Sequence, residues 1–234
     1  VEDVERRLTE VPVPSGVKMA PAEIHRLLDR GLFDQAADYL RAYEDDESVG
    51  IGLARAKLAT GRADPRAALR ILKQLEPHLA DEADELPVWH VEKARAHLRT
   101  GDYDDAEHHA ALALTRLGGS VLGEVASGGP GDPGLAGKVA EALAVSGLAQ
   151  SLSGRHEDAT RTLRRSVEVA RGGGDDRVLA LALGSLAFAQ QRNDQLDDAE
   201  ISNLEALEVA QRAGDAGHVA TTRLNLAGIA RMRG

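Results

Sequence analysis

The apolar residues of this chain recur at the spacing of an α-helix along most of its length. The segment VWHVEKARAHLRT at positions 88–100 is typical, and it ends at Gly101 before a second helical pattern begins. No segment shows the strict alternation of apolar and polar residues that a half-buried strand would give. The pattern therefore predicts an all-α protein whose helices are joined by short turns.

The turn between two helices is repeated along the chain. In TGDYDDAEHHAALAL, residues 100–114, Gly101 ends one helix, acidic residues open the next, and Ala106 follows five residues after the glycine. Glycine suits this position because it adopts the left-handed conformation without strain, and carboxylates in a first turn complement the helix dipole. The same sequence pattern recurs four times, with turn residues at positions 31, 61, 154 and 194. The matching alanines are Ala36, Ala68, Ala159 and Ala199, with two extra residues before Ala68. With Gly234 as a sixth turn position, three of the five intervals are 40 residues, which indicates a stacked repeat protein.

This pattern resembles the tetratricopeptide repeat family, in the longer form that is similar to the repeats of large bacterial regulatory proteins. Small residues stand where that family packs its helices closely: Ala54, Ala94, Gly147, Ala187 and Ala227 in first helices, and Ala113, Ser166 and Ala206 in second helices. The usual period of the family is about 34 residues, so the repeats of this chain are longer. The resemblance implies a right-handed solenoid of antiparallel helix pairs over residues 17–234.

Four segments are expected along the chain. Residues 1–16 carry two prolines close together and predict a linker or a short leading helix. Residues 17–117 hold repeats one to three, and residues 134–234 hold repeats four and five and the first helix of a sixth. The glycine-rich residues 118–133 between them predict a flexible loop. The last helix would expose a face without a partner helix, so self-association through that face is one expectation.

Composition and charge argue against several functional classes. The net charge of −10 repels nucleic acid and anionic membranes. The chain has no cysteine, which removes disulfides, thiol nucleophiles and cysteine-ligated zinc. No apolar stretch approaches the roughly 20 residues of a membrane-spanning helix, and no signal peptide opens the chain. We therefore expect a cytoplasmic protein, and a fragment of a longer one because the chain lacks an initiator methionine and ends inside a repeat.

Motifs for catalysis or metal binding are weak. Asp104 and His108, like Asp105 and His109, are i, i+4 pairs that share one helix face. A zinc site needs three or four protein ligands, so a solvated polar face is the favoured interpretation of these pairs. The sequence contains no H-E-x-x-H motif, no nucleophile elbow and no G-K-[ST] phosphate loop. We therefore predict no enzymatic activity, no bound metal and no cofactor.

The resemblance also implies a binding surface, because in that family the first helix of each pair lines a concave groove. The matching positions are Ile51, Arg55 and Leu58 in the second repeat; Val88, Val91, Arg95, Leu98 and Arg99 in the third; Leu148 and Leu152 in the fourth; Phe188 and Arg192 in the fifth; and Leu224, Arg231 and Met232 in the sixth. Arginine side chains recognise carboxylates through two parallel hydrogen bonds, so an acidic protein or peptide ligand is expected. The alternative is that these arginines form ion pairs with neighbouring repeats.

Three functions remain open at this point. The favoured one is a non-catalytic module that binds a protein or peptide and forms the sensor or interaction region of a larger bacterial signalling or transcription-regulatory protein. The second is a repeat region that gates an attached kinase or protease domain. The third is a small-molecule sensor. The domains that flank this segment in its parent gene would discriminate between the three.

Overall fold

The structure is a computed structural model that describes residues 18–79, 84–126 and 133–233, with the backbone only for residues 118–126 and Pro133. This part of the chain forms eleven α-helices and no strand. They are α1 (Pro21–Asp29), α2 (Phe33–Leu40), α3 (Val49–Gly61), α4 (Pro65–Leu75), α5 (Leu86–Thr100), α6 (Tyr103–Ala126), α7 (Pro133–Leu152), α8 (His156–Gly173), α9 (Asp176–Arg192), α10 (Leu196–Ala213) and α11 (Ala216–Arg233). The 3₁₀ turns Arg41–Tyr43 and Glu76–His78 follow α2 and α4.

The helices pack as consecutive pairs in two layers. Each odd-numbered helix from α1 to α9 packs against the even-numbered helix that follows it and against the next odd-numbered helix. The odd-numbered helices thus form one continuous layer and the even-numbered helices the other. This arrangement confirms the predicted all-α solenoid of helix pairs, while the handedness of its superhelix stays a prediction.

The five turns that join the two helices of a pair share one geometry. The turn residues Gly31, Ala63, Gly101, Gly154 and Asp194 all have positive φ angles, between 57° and 90°. The amide of the residue that follows each turn residue donates to the carbonyl five residues before the donor, as Asp102 N does to His97 O at 3.0 Å. This is the hydrogen bond that closes a Schellman turn. The predicted alanine then lies five residues past the turn residue in every pair, and all five alanines are fully buried.

The second turn corrects the sequence prediction. Gly61, which was assigned as the turn residue, is the last residue of α3, and Ala63 adopts the left-handed conformation instead. Gly61 is small for another reason, because a Cβ atom there would collide with the ring of Phe33. With Ala63 as the turn residue, the two extra residues before Ala68 disappear and this turn matches the other four.

The small residues that the resemblance singled out lie mostly at close contacts. Ala54, Ala94 and Ala187 are fully buried, and so are Ala113, Ser166 and Ala206. The hydroxyl of Ser166 donates to the carbonyl of Ala140 in the neighbouring helix at 2.7 Å. Ala227 is exposed, because no described helix covers that side of α11. Close packing through small side chains therefore builds the solenoid.

The glycine-rich segment is partly helical, which corrects a second prediction. Residues 118–126 were predicted to be loop, but α6 continues through them to Ala126. Leu117, Val121 and Val125 keep the i, i+4, i+8 spacing of one helix face, and the glycines among them each cost only about 1 kcal/mol. The rest of the predicted loop up to residue 132, and the predicted leading segment 1–16, lie outside the described residues.

The buried side chains are distributed along the solenoid in separate clusters. One cluster joins α1, α2 and α3 around Ile24, a second joins α3, α4 and α5 around Trp89, and the largest spans α6 to α10. The indole Nε1 of Trp89 donates to the carbonyl of Leu72 at 2.8 Å. None of the described helices is long and apolar enough to span a membrane.

Candidate functional site

The odd-numbered helices present one common face toward the inside of the solenoid. Counted back from the turn residue of each pair, positions 2, 6, 9, 13 and 17 fall on one side of a helix, because they are three or four residues apart. Position 6 holds His25, Lys57, Arg95, Leu148 and Phe188 in the five successive first helices. Since these helices lie side by side, equal positions form rows across this face, which we call the inner face.

Six charged residues of the inner face form a continuous chain of ion pairs, which we call the ion-pair belt. They are Asp29, Lys57, Glu92, Arg95, Glu141 and Arg177. They come from α1, α3, α5, α7 and α9, so the belt connects all five first helices. Three carboxylates balance three cations, and the belt itself is therefore neutral.

The ion pairs of the belt connect the helices in the order α3, α1, α9, α7 and α5. Lys57 Nζ contacts Asp29 Oδ1, and Arg177 Nη1 lies 3.7 Å from the same oxygen. Arg177 Nη2 donates to Glu141 Oε1 at 2.8 Å, and Arg95 Nη2 lies 3.3 Å from Glu141 Oε2. Arg95 Nη1 then donates to Glu92 Oε1 at 3.0 Å. The ion pairs thus join the first repeat to the second and to the fifth, and the fourth repeat to the third and to the fifth.

Burial makes these pairs electrostatically strong. Burial alone would raise the pKa of Glu141, but the guanidinium groups of Arg95 and Arg177 lower that pKa to about 2. Burial alone would lower the pKa of Arg95, but Glu141 and Glu92 raise it. Glu141 and Arg95 are therefore both charged at neutral pH. Buried ion pairs of this kind specify an arrangement more than they add net stability.

One oxygen of the belt is left without a partner. Glu92 Oε1 accepts from Arg95, but Glu92 Oε2 is buried and has no hydrogen-bond partner, although the side chain is only 4% exposed. A buried carboxylate oxygen without a donor costs free energy, and most buried polar atoms in native proteins are satisfied. The inner face therefore holds an acceptor that is ready for a donor.

A cavity of about 460 Å³ lies on one side of the belt. Its apolar wall includes Leu53, Val88, Val91 and Val178. Its carboxylates are Asp29, Glu85, Glu92, Glu141 and Asp175, and its cations are Lys57, Lys138 and Arg177. Burial lowers the pKa of His25, which also lines this space, so its ring is neutral at neutral pH. Five carboxylates face three cations, and we call this space the anionic cavity.

A second cavity of about 350 Å³ lies on the other side of the belt. Its apolar wall includes Phe33, Leu98, Val145, Leu148 and Leu181. Its cations are Lys57, Arg95, Arg99 and Arg177, and its carboxylates are Asp29 and Glu92. Arg99 is exposed and has no ion-pair partner among the described residues. Four cations face two carboxylates, and we call this space the cationic cavity.

The predicted groove residues divide between these cavities and other places. Val88 and Val91 line the anionic cavity, and Leu98 and Arg99 line the cationic cavity. Arg95 belongs to the belt and is paired with two carboxylates. For Arg95, the structure therefore shows the alternative interpretation, in which the arginine pairs with neighbouring repeats.

The second-repeat positions of the predicted groove are not on the inner face. Ile51 is fully buried in the cluster around Ile24, and Leu58 packs against that cluster. Arg55 donates to the backbone carbonyls of the connection that follows α2, at 3.1 Å to Asp46 O and 3.2 Å to Glu44 O, and it also contacts Tyr43 O. The prediction that Arg55 shares the groove with Arg95 and Arg99 is therefore wrong. The cause is the turn residue, because counting from Gly61 selects Arg55, whereas counting from Ala63 selects Lys57.

Of the predicted residues of the later repeats, Leu148 lines the cationic cavity, and the others line neither cavity. Arg192 lies over the ring of Phe188, 5.9 Å from its centroid, and Arg231 is exposed near the end of α11. Sequence reasoning missed Asp29, Lys57, Glu92, Glu141 and Arg177. A search for charges at positions 2, 6, 9, 13 and 17 before each turn residue finds all five of them.

A histidine cluster between α5 and α6 lies apart from both cavities. His90 Nδ1 lies 3.0 Å from His109 Nδ1, and the ring of His97 stacks on that of His109. Burial, followed by the charge of Lys93, lowers the pKa of His90 to about 4 and that of His109 to about 3. Within the described residues, no three histidine, aspartate or glutamate side chains are arranged to hold a metal ion. His90 and His109 are therefore uncharged at neutral pH and pack against each other.

Comparisons with known proteins support the fold. No family model matches the chain, and no curated protein matches its sequence. The chain is similar to the crystal structure of the apo form of RapI, with a TM-score of 0.59 and 12% sequence identity. The similarity covers 99% of this chain and 65% of the RapI chain, so this chain corresponds to a part of that protein. The likeness fits a helical-repeat fold of the tetratricopeptide type, while membership of that family stays a prediction.

Proposed function

We propose that this chain is a non-catalytic scaffold that binds a protein or peptide segment along its inner face. The observation that carries the proposal is the pair of cavities on either side of the belt, which share Asp29, Lys57, Glu92 and Arg177 as lining residues. Apolar walls with a few fixed polar groups are typical of ligand sites. Solenoids use such extended inner surfaces for binding.

The chemistry of the inner face favours binding over catalysis. Its charged groups pair with one another across repeats, whereas an active site would align a nucleophile with a base. Two adjacent cavities along five helices suit an extended segment. Each cavity alone also lies within the range of about 300–1,000 Å³ that small molecules occupy, so a small-molecule sensor is the second candidate.

The wider role is part of the same proposal. A scaffold of this kind would serve as the sensor or interaction region of a larger bacterial signalling or transcription-regulatory protein, or would gate an attached catalytic domain. Self-association through α11 also stays a prediction. Leu224 is 74% exposed and Met232 is 53% exposed on that helix. Sedimentation velocity at several protein concentrations would test it.

A variant in which the anionic cavity is obstructed tests the proposed binding site. Ala22 is exposed and lines the anionic cavity, so Ala22→Trp places a large ring in this cavity without disturbing the core. Ala111, an exposed alanine of α6 that lines neither cavity, provides the matched control Ala111→Trp. The probe is a synthetic library of random heptapeptides with free termini, and retained peptides are counted by mass spectrometry.

We expect the unmodified protein and Ala111→Trp to retain the same peptides and Ala22→Trp to lose them. Equal retention by both variants would move binding away from the inner face. Absence of retention by the unmodified protein would contradict peptide binding. In that case, a screen of small molecules against the same variants would test the second candidate.

A further inference from the structure

The two cavities of the inner face carry opposite net charges. The anionic cavity is lined by five carboxylates and three cations, and the cationic cavity by four cations and two carboxylates. Four residues of the belt line both cavities, so the difference comes from the groups that line only one of them. Glu85 and Glu141 belong to the anionic side, whereas Arg95 and Arg99 belong to the cationic side. A ligand that spans the belt therefore lies in an electric field that points from the cationic cavity to the anionic cavity.

Glu92 is the belt residue that lacks a hydrogen-bond donor for one of its oxygens. Its Oε2 is buried and without a hydrogen-bond partner, and the residue lines both cavities. The other belt carboxylates contact two cations each, whereas Glu92 contacts Arg95 alone. The terminal torsion of a glutamate is broad, so a small rotation can present this oxygen to the anionic cavity. A donor that arrives there would complete the belt.

We infer that the anionic cavity binds an ammonium group of a peptide ligand, with Glu92 as its acceptor, and that the carboxylate of the ligand points toward Arg99. This inference rests on the proposed peptide-binding function. An ammonium group donates three hydrogen bonds, and charge-assisted bonds to a carboxylate are about twice as strong as neutral ones. Leu53, Val88 and Val178 would contact the apolar part of the residue that carries the ammonium group. This assignment adds a cationic group to the acidic ligand that the sequence predicts.

The ammonium group has two sources in a peptide, which are the amino terminus and a lysine side chain. Three heptapeptide libraries separate them. The first has free amino termini and contains neither lysine nor arginine. The second is acetylated at the amino terminus and contains lysine. The third is acetylated and contains no lysine, arginine or histidine, so it has no cationic group.

The libraries give distinct outcomes for the inference and for the proposed function. We expect the first or the second library to be retained more than about tenfold above the third, which identifies the source of the ammonium group. Equal retention of all three libraries, with loss in Ala22→Trp, would overturn the ammonium site and leave peptide binding intact. Retention of no library would remove the proposed function and the inference with it.

A conservative variant tests Glu92 itself. Glu92→Gln keeps the size of the side chain and an acceptor for Arg95 but removes the negative charge. The control is Glu168→Gln on an exposed position of α8 that lines neither cavity. The titrated probe is a peptide recovered from the retained library, together with its acetylated or lysine-free counterpart.

We expect Glu92→Gln to weaken binding of the cationic peptide by about tenfold or more and to leave binding of its uncharged counterpart within about twofold. Glu168→Gln should bind both peptides as the unmodified protein does. Binding of both peptides by Glu92→Gln at the affinities of the unmodified protein would show that Glu92 is not the acceptor. If Glu92→Gln loses its helical circular dichroism, the library comparison on the unmodified protein decides the question.

Discussion

The guanidinium of Arg177 in α9 lies 3.7 Å from the carboxylate of Asp29 in α1, so the first and fifth helix pairs meet across the inner face. Arg177 also donates to Glu141 in α7 at 2.8 Å, and Asp29 also contacts Lys57 in α3. Two residues that are far apart in the chain therefore connect the first helix pair to the fifth. Both residues line the anionic cavity and the cationic cavity.

Removal of Arg177 should destabilise the protein. Arg177→Ala leaves Glu141 and Asp29 each with one cation fewer, and its side chain is 21% exposed, so water compensates only in part. We expect the free energy of unfolding to fall by about 3 kcal/mol. Chemical denaturation monitored by circular dichroism is the measurement. The matched control is Arg171→Ala, whose ion pair with Glu205 is half exposed and should change stability by less than about 1 kcal/mol. Similar losses of unfolding free energy in the two variants would show that an ion pair of the belt contributes no more to stability than an exposed ion pair.

Replacement of Ala63 by glycine should stabilise the protein. Ala63 has a φ of 61°, where a side chain costs about 1–2 kcal/mol that glycine does not, and the greater freedom of glycine in the unfolded chain offsets about 0.4–1 kcal/mol. We expect Ala63→Gly to raise the unfolding free energy by about 0.5–1 kcal/mol on the same argument. The reciprocal control Gly101→Ala should lower it by a similar amount, since a Cβ there meets no atom within 4 Å. An unchanged denaturation midpoint in both variants would contradict the assignment of the turn residues.

Enlargement of the turn alanines should destabilise the helix pairs. Ala106 and Ala159 are fully buried, so Ala106→Leu and Ala159→Leu force extra methyl groups into close contacts. We expect each change to cost about 1–3 kcal/mol. Ala111→Leu, at an exposed position of the same helix as Ala106, should stay within about 0.5 kcal/mol of the unmodified protein. Equal melting temperatures of the three variants would contradict the assignment of Ala106 and Ala159 to close helix contacts.

Acidification should weaken the protein through the histidine cluster. The pKa of His90 is about 4 and that of His109 about 3 in the folded protein, below the ordinary value of 6.5. Below pH 6.5, the unfolded chain therefore binds protons that the folded protein excludes, and stability decreases as the pH falls. Lys93 and His108 face both rings and increase this effect, while Glu76 opposes it at His90.

The measurement is the unfolding free energy between pH 7 and about pH 5, where most carboxylates are still ionised. The double variant His90→Gln with His109→Gln should show a shallower decrease over this range. A control variant, His156→Gln on α8, keeps both rings of the pair and should show the original slope. If the double variant has the same slope as the unmodified protein, the cluster does not control the acid response.

The repeated alanines illustrate how much of the fold could be predicted. Their spacing from a turn residue placed the close contact of each pair correctly, because a helix pair brings the same two positions together in every repeat. The position of one turn could not be read in this way. Gly61 has the residue type of a turn but serves the contact with Phe33, and Ala63 adopts a conformation that its residue type disfavours. That displacement of two residues exchanged Lys57 for Arg55 in the predicted groove.

The sequence by itself determined the all-α class, the helix pairs and the buried alanines, because these depend on local periodicity and on contacts between neighbouring segments. Only the tertiary structure decided which charges face one another. Asp29, Glu141 and Arg177 lie in different repeats, and their distances depend on the accumulated rotation from one pair to the next. A small change of that rotation at each step would separate Asp29 from Arg177 without altering any local pattern. The ion-pair belt and its two cavities are therefore properties of the superhelix as a whole.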